Sequence, residues 1–228
     1  MKKFLSLLAG IFFAGAASAN AAEYGFDKAH SHVGFSVTHI LSKVSGEFKS
    51  YDGTFKFDSK DPSADSVAVT IDVTSISTDN EMRDHHLQSP DFFDAAKYPT
   101  ITFTSTSVAK TGDNDYKITG DLTMHGVTKS VVLDTEYLGA DSMPLPMSKD
   151  PKDVAQLVGF NATTKIDRRD FGLTWGQDKL TAAGNLMVAN DVTIELDIAG
   201  EDTASLKKMM EMMKNKMPKP APAATPAN

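Results

Sequence analysis

The chain contains no cysteine. That excludes disulfides, thiolate nucleophiles, cysteine-ligated metals and c-type haem attachment, so packing alone must hold the fold. A Gly-rich phosphate loop, a His-Glu-x-x-His motif and a Gly-x-Ser-x-Gly elbow are also missing. With them go the sequence grounds for nucleotide, zinc-protease and esterase chemistry. Beyond the N-terminal segment no apolar run approaches the roughly 20 residues of a spanning helix. Basic charge is scarce, with 23 Lys and Arg against 30 Asp and Glu and a formal net charge of −7. Such an acidic balance argues against nucleic acid and anionic membrane surfaces as main partners, and it favours solubility.

What the chain does have begins with a three-part leader. Lys2 and Lys3 precede an apolar run from Phe4 to Ala17, followed by the small-residue sites Ala17-Ser18-Ala19 and Ala19-Asn20-Ala21. This is the pattern of a cleavable secretory signal, with cleavage expected after Ala21. Residues 1–21 are therefore assigned as a signal peptide. Losing the two lysines leaves an exported chain of formal charge −9.

From His32 onward the dominant period is two. Val33, Phe35, Val37 and His39 alternate with small or polar residues, as do Val67, Val69, Ile71 and Val73, and then Ile101 and Phe103. Gly46–Phe57, Tyr116–Met124, Val127–Leu138, Leu157–Ile166 and Val192–Ala199 read the same way, giving about eight half-buried strands. Gly112-Asp113-Asn114-Asp115 and His125-Gly126 supply turns. Eight such strands fit either a sandwich or a closed barrel, and periodicity alone leaves both open.

Two stretches break the rhythm. Asp79 to Lys97 reads as a short helical excursion ending at Tyr98-Pro99, and Arg168 to Asn190 as a loop with a helical turn. Excursions at a barrel mouth are where entrance and recognition are usually built. The C-terminal segment 201–228 changes character, with a Met-rich helix over Thr203–Met217 and a Pro/Ala-rich, unstructured tail over Pro218–Asn228.

Candidate chemistry is sparse. His30 with His32, and His85 with His86 beside Asp84, form pairs of metal-ligand type without a third ligand at fixed spacing. Met209, Met210, Met213 and Met217 recur at helical spacing and could take Cu(I), meet a partner or simply pack on the barrel. Ser205 and Lys208 match Ser-x-x-Lys, but its companion motifs are absent. His39 points inward by strand phase, so its polar tip requires a partner in the core or on a ligand.

An ordered set of words runs through the strands: His30-Ser31-His32-Val33-Gly34-Phe35 with His39, Gly46-Glu47-Phe48, and Asp52-Gly53-Thr54-Phe55. Then come Arg83, His86-Leu87, Asp91-Phe92-Phe93-Asp94, Lys97-Tyr98-Pro99 and Phe103. Gly120-Asp121-Leu122-Thr123, Gly126-Val127-Thr128-Lys129, and Arg168 with Asp170-Phe171-Gly172 complete it. In these words the chain resembles the YceI-like family of polyisoprenoid-binding periplasmic proteins over about residues 24 to 200.

The resemblance implies an all-β fold, an extended eight-stranded antiparallel lipocalin-like barrel over residues 22–200. Its lumen would hold an isoprenoid tail of quinone or polyprenyl type, or another long aliphatic chain such as a fatty amide. It also implies a periplasmic location, transient membrane contact and a homodimer. Phe35, Val37, Phe48, Phe55, Val69, Ile71, Phe103, Ile118, Leu122 and Phe160 are expected to line the lumen. His39, Arg83, His86 and Trp175 are expected near a mouth or head group. The reading is a binding protein rather than an enzyme, with no cofactor beyond the lipid. The alternative is a periplasmic copper or stress-response protein using the Met-rich tail and the histidine pairs. The tail and the Pro-containing loop Asp141–Pro151 depart from the family pattern.

Overall fold

The computed structural model describes residues 21–146 and 148–216. The expected signal peptide (save Ala21) and the expected Pro/Ala-rich tail lie outside the described residues. The strands are β1 (Ala22–Phe26), β2 (His32–His39), β3 (Ser42–Phe48), β4 (Tyr51–Phe57), β5 (Ser66–Asp72) and β6 (Ile76–Ser77), followed by α1 (Glu81–Gln88). Then come β7 (Thr100–Lys110), β8 (Asp115–Met124), β9 (Val127–Pro144), β10 (Val154–Asp167), β11 (Val188–Asp202) and α2 (Thr203–Lys216).

These strands form one closed antiparallel wall of eight staves. β1 and β2 are the two halves of the first stave, because β11 pairs with both, Phe26 lying opposite Gly200 and Val33 opposite Leu196. β3 with β4 makes the second stave and β5 with β6 the third, and β7 to β11 supply the rest in sequence order. Because β11 pairs on one side with β10 and on the other with β1 and β2, the wall has no free edge over those ladders. This decides the barrel over the sandwich.

The breaks follow from side-chain phase. Residues three apart on an unbroken strand point to opposite faces, yet Phe48 and Tyr51 are both buried, as are Val73 and Ile76. A kink at Lys49-Ser50, and a helical turn after Asp72, turn both members of each pair inward. The turn is capped by Asp72, whose Oδ1 accepts from the Thr74 amide at 2.8 Å. In the first stave the Ser31 hydroxyl replaces a missing rung: it donates to the Ala199 carbonyl at 3.1 Å and accepts from the Ala199 amide at 2.9 Å.

Several expectations need correction. Gly46–Phe57 is two strands because of that kink. β1 was not foreseen; its five residues are too few to display alternation, and its place is fixed by pairing with β4 and β11. β9 continues through Asp141 to Pro144, so the Asp141–Pro151 segment is partly wall. Pro144 ends the strand, as a residue without an amide donor should. The last strand, expected over Val192–Ala199, is longer at both ends, with Glu201 opposite Leu157.

α1 starts at Asn80, whose side chain caps the Arg83 amide at 3.0 Å. α2 starts where the Asp202 carboxylate accepts from the Ser205 amide at 2.8 Å. It is tied to the wall by the Ser205 hydroxyl donating to the Val154 carbonyl and by the Lys208–Asp153 pair. These separate engagements take Ser205 and Lys208 apart as a Ser-x-x-Lys pair. Met209 and Met212 are half-buried whereas Met210 and Met213 are exposed, so the methionine face packs only in part.

Candidate functional site: an apolar cavity along the barrel axis

The inward faces of the staves enclose a cavity of about 440 Å³. Ligand pockets generally span about 300–1,000 Å³. On β8 its lining runs from Tyr116 to Met124, a length of roughly 25 Å at about 3.3 Å per residue. Phe35, Val37 and His39 of β2, Phe48 of β3, Phe55 of β4, and Val69 and Ile71 of β5 face it. So do Phe103 of β7, Ile118 and Leu122 of β8, Phe160 of β10, Arg83 and His86 of α1, and Trp175 of the loop after β10. Every candidate site residue thus borders one cavity.

Its two ends differ. At one end Tyr24, Phe55, Phe57, Tyr116, Tyr137 and Phe160 form an aromatic cluster. Phe57 stands edge-on to Phe160 at 4.8 Å between centroids and to Tyr116 at 5.7 Å, and Phe55 stacks on Tyr24 at 5.3 Å. Edge-to-face and offset pairs at these spacings add to what burial alone contributes. Burial pushes the Tyr24 and Tyr137 phenols above their ordinary pKa, which keeps them neutral.

At the other end His86, Phe92 and Trp175 meet as three rings, with centroids 5.0–5.2 Å apart. Lys179 Nζ sits 4.1 Å over the indole. The charged groups at this mouth are already engaged. Arg83 donates from Nε to the Thr78 hydroxyl at 2.7 Å and from Nη2 to the Thr78 carbonyl at 2.6 Å, while Asp84 accepts from the same hydroxyl. His86 Nε2 lies 3.0 Å from an Asp91 oxygen. His39 lies at the rim, half-buried, and its imidazole forms no hydrogen bond among the described residues.

Arg168 was missed as a site residue. It is 4% exposed, and its guanidinium reaches the carbonyls of Leu173 at 2.6 Å, Ala189 at 3.0 Å and Val188 at 3.5 Å. Burial lowers its pKa from the ordinary value. The signal was present: Phe160, Ala162, Thr164, Ile166 and Arg168 continue one inward phase. Tyr116 was missed too, although it precedes Ile118 by two.

Each histidine of the two pairs has its own carboxylate neighbour. His30 lies before β2 with Nδ1 2.7 Å from Asp27, whereas His32 lies on β2 beside Glu47, so they share no strand face. His85 faces Glu81 and His86 faces Asp91. Among the described residues no cluster of three or more His, Asp or Glu could hold a metal ion.

Wall and cavity together define a class: an up-and-down antiparallel barrel that encloses an apolar binding space. Within that class the chain belongs to the YceI-like family, whose domain model matches residues 24–200. The YceI protein of Escherichia coli O17:K52:H18 is 45% identical over 175 residues, covering 75% of this chain and 87% of that protein. Among solved structures, BcnA of Burkholderia cenocepacia superposes with a TM-score of 0.64 at 28% identity, over 76% of this chain and 98% of that one. The Campylobacter jejuni YceI protein gives 0.60 at 35% identity, over 78% and 96%. A polyisoprenoid-binding domain from Saccharophagus degradans shares the fold at a TM-score of 0.56 and 18% identity, over 80% and 99%.

Proposed function

We propose that the protein is a periplasmic carrier that holds the tail of a long-chain lipid, of isoprenoid type, in the barrel cavity. The observation that carries this reading is a single apolar cavity running along the barrel from an aromatic end to a mouth. The polyisoprenoid binding attributed to the Saccharophagus domain of the same fold supports the ligand class. Burying roughly 600 Å² of apolar tail is worth on the order of 15 kcal/mol before ordering costs. Those costs consume much of it, leaving a ligand that stays dissolved in the protein yet can leave at a membrane.

Exchange at a membrane is part of the proposal. Leu41, 94% exposed at the tip of the β2–β3 turn, Met82 on α1 and Leu180 in the mouth loop present apolar side chains outward. Lys43, Arg169 and Lys179 stand near these tips. Among the described residues no helix is long and apolar enough to cross a membrane. Export fits the leader pattern, and β1 begins at Ala22, so cleavage after Ala21 removes none of the wall. A binding rather than catalytic role fits a cavity whose arginines are held by Thr78 and by backbone carbonyls.

The test is mass spectrometry of lipid extracted from protein purified from its own periplasm without detergent. A near-stoichiometric isoprenoid is the expected result. Lipid-free protein that also fails to take up added quinone or polyprenol overturns the reading.

A further inference from the structure

The aromatic end of the cavity is not wholly apolar. Tyr116 and Thr135 stand opposite each other in the β8–β9 register, and both border the cavity. They are 3% and 7% exposed, and neither hydroxyl has a hydrogen-bond partner among the described residues. Buried polar atoms are nearly always paired, so unpaired hydroxyls on two cross-strand neighbours that both border the cavity mark a place where something else completes them. A third buried oxygen, Oδ2 of Asp65, is unpaired at this end, while its Oδ1 accepts from the Asp58 amide at 2.7 Å.

At the mouth the arginines and His86 are engaged. Arg83 is taken up by Thr78, Arg168 by three carbonyls, and His86 by Asp91. Three of the five buried side-chain oxygens without a partner among the described residues border the cavity, and all three lie at the aromatic end; at the mouth the half-buried His39 imidazole is also unpaired.

We propose that Tyr116 and Thr135 form a polar seat for an uncharged head group bearing a hydroxyl or carbonyl oxygen. The lipid then lies head-inward with its tail toward Trp175. This rests on the carrier reading and adds the ligand's orientation and head-group class. Hydroxyls donate and accept, so an alcohol, phenol, amide or quinone-type carbonyl satisfies them. An anionic head is disfavoured, because the buried groups here are hydroxyls and a carboxyl, and a desolvated anion needs a buried cation. Lys56 borders this end, but it is exposed, and Lys110 is exposed and bonded to the Ser59 carbonyl.

The experiment uses the full exported chain and two probes of equal length, oleyl alcohol and the corresponding octadecene. Wild type is compared with the near-isosteric Tyr116→Phe, Thr135→Val double variant. Affinity for the alcohol relative to the alkene should fall roughly 10-fold in the variant, the loss expected for about two hydrogen bonds. Taking the ratio cancels the solvation difference between the probes. Thermal melting checks the fold, and removing unpaired hydroxyls should not lower it. Orientation has its own readout: octadecanol brominated at its methyl end should quench Trp175 more than octadecanol brominated beside the hydroxyl.

An unchanged ratio, with both probes bound, means that water fills the seat; this overturns the proposal and leaves the carrier reading intact. Stronger quenching by the bromine beside the hydroxyl also overturns it. If neither probe binds wild type, the carrier reading falls and the seat with it.

Discussion

Arg168 and Leu173 are joined through the mouth loop: the guanidinium Nη1 donates to the Leu173 carbonyl at 2.6 Å, while Nε and Nη2 reach Ala189 and Val188. One buried cation therefore staples both ends of the loop that carries Trp175. Burying a charge is costly unless hydrogen bonds replace its water, and the planar guanidinium can serve three carbonyls at once.

Arg168→Lys should therefore be far from conservative. A single ammonium on a shorter reach cannot span the three acceptors, and charge-assisted bonds contribute about 1.5–3 kcal/mol each. A loss of about 2–3 kcal/mol, or roughly 5–10 °C in Tm for a chain of this size, is expected by calorimetry. Because the loop holds the only tryptophan, emission should also shift to longer wavelength below the transition. An unshifted spectrum with lowered Tm would mean that Arg168 stabilises the wall without positioning the loop.

Gly200 tests the aromatic end. A Cβ there would overlap the ring of Phe55, which is itself packed against Tyr24 and Phe160. Overpacking of this kind costs typically 1–3 kcal/mol. At Gly159 an added Cβ would lie 3.5 Å from Leu138, an ordinary contact. Gly200→Ala should be destabilised by about 1–3 kcal/mol in urea titrations, Gly159→Ala by far less, and Phe55→Leu should partly relieve the former. Equal effects at the two glycines would mean that the Phe55 ring moves freely.

The strand period made the eight staves legible and, with the family words, all the candidate site residues that border the cavity. Alternation is a local signal, and the inward phase of Phe35, Val69 or Leu122 follows from it directly. The breaks were not legible, because Phe48 and Tyr51 are both apolar and either could have been the inward member. β1 was hidden for want of length. The hydroxyls of Tyr116 and Thr135 carried no warning, since their lack of partners depends on what the other staves place beside them. Arg168 sat in the inward phase, but an arginine at a strand end is ordinarily read as solvated.

Asp65 gives the fold a pH dependence. Burial pushes its carboxyl up to about 6, against about 3.9 in an unfolded chain. The native state thus holds the proton more tightly. The resulting stability is fully present below about pH 4 and is lost as pH rises through 6. Asp65 keeps part of its surface in water, so the discounted effect is about 1–2 kcal/mol. Asp65→Asn, which keeps the acceptor for the Asp58 amide, should be the more stable protein by that amount at pH 7.5, with the difference shrinking at pH 4. Urea titrations at both pH values decide it. A difference that is the same at both would show that burial does not strain this carboxylate.

Leu41 tests whether the mouth is the membrane-facing end. Ile40 adopts φ +54 in the two-residue turn before β3, a conformation unfavourable for a β-branched residue, and this turn carries Leu41 outward almost fully exposed. An apolar side chain held out in this way contributes nothing to the core, so Leu41→Asp should keep the folding stability within about 0.5 kcal/mol of wild type. Inserting a leucine into an interface gains about 1.5–3 kcal/mol relative to water. The aspartate forfeits that gain and adds repulsion from anionic lipid, so lipid transfer to anionic vesicles should slow at least ~10-fold. Equilibrium binding of oleyl alcohol in solution should not change, since Leu41 does not border the cavity. The measurement is the rate of fluorescent-lipid transfer from protein to vesicles at fixed vesicle concentration. Unaltered transfer by the variant would show that the lipid leaves by another route, and would remove the Leu41, Met82 and Leu180 face from the proposed exchange step.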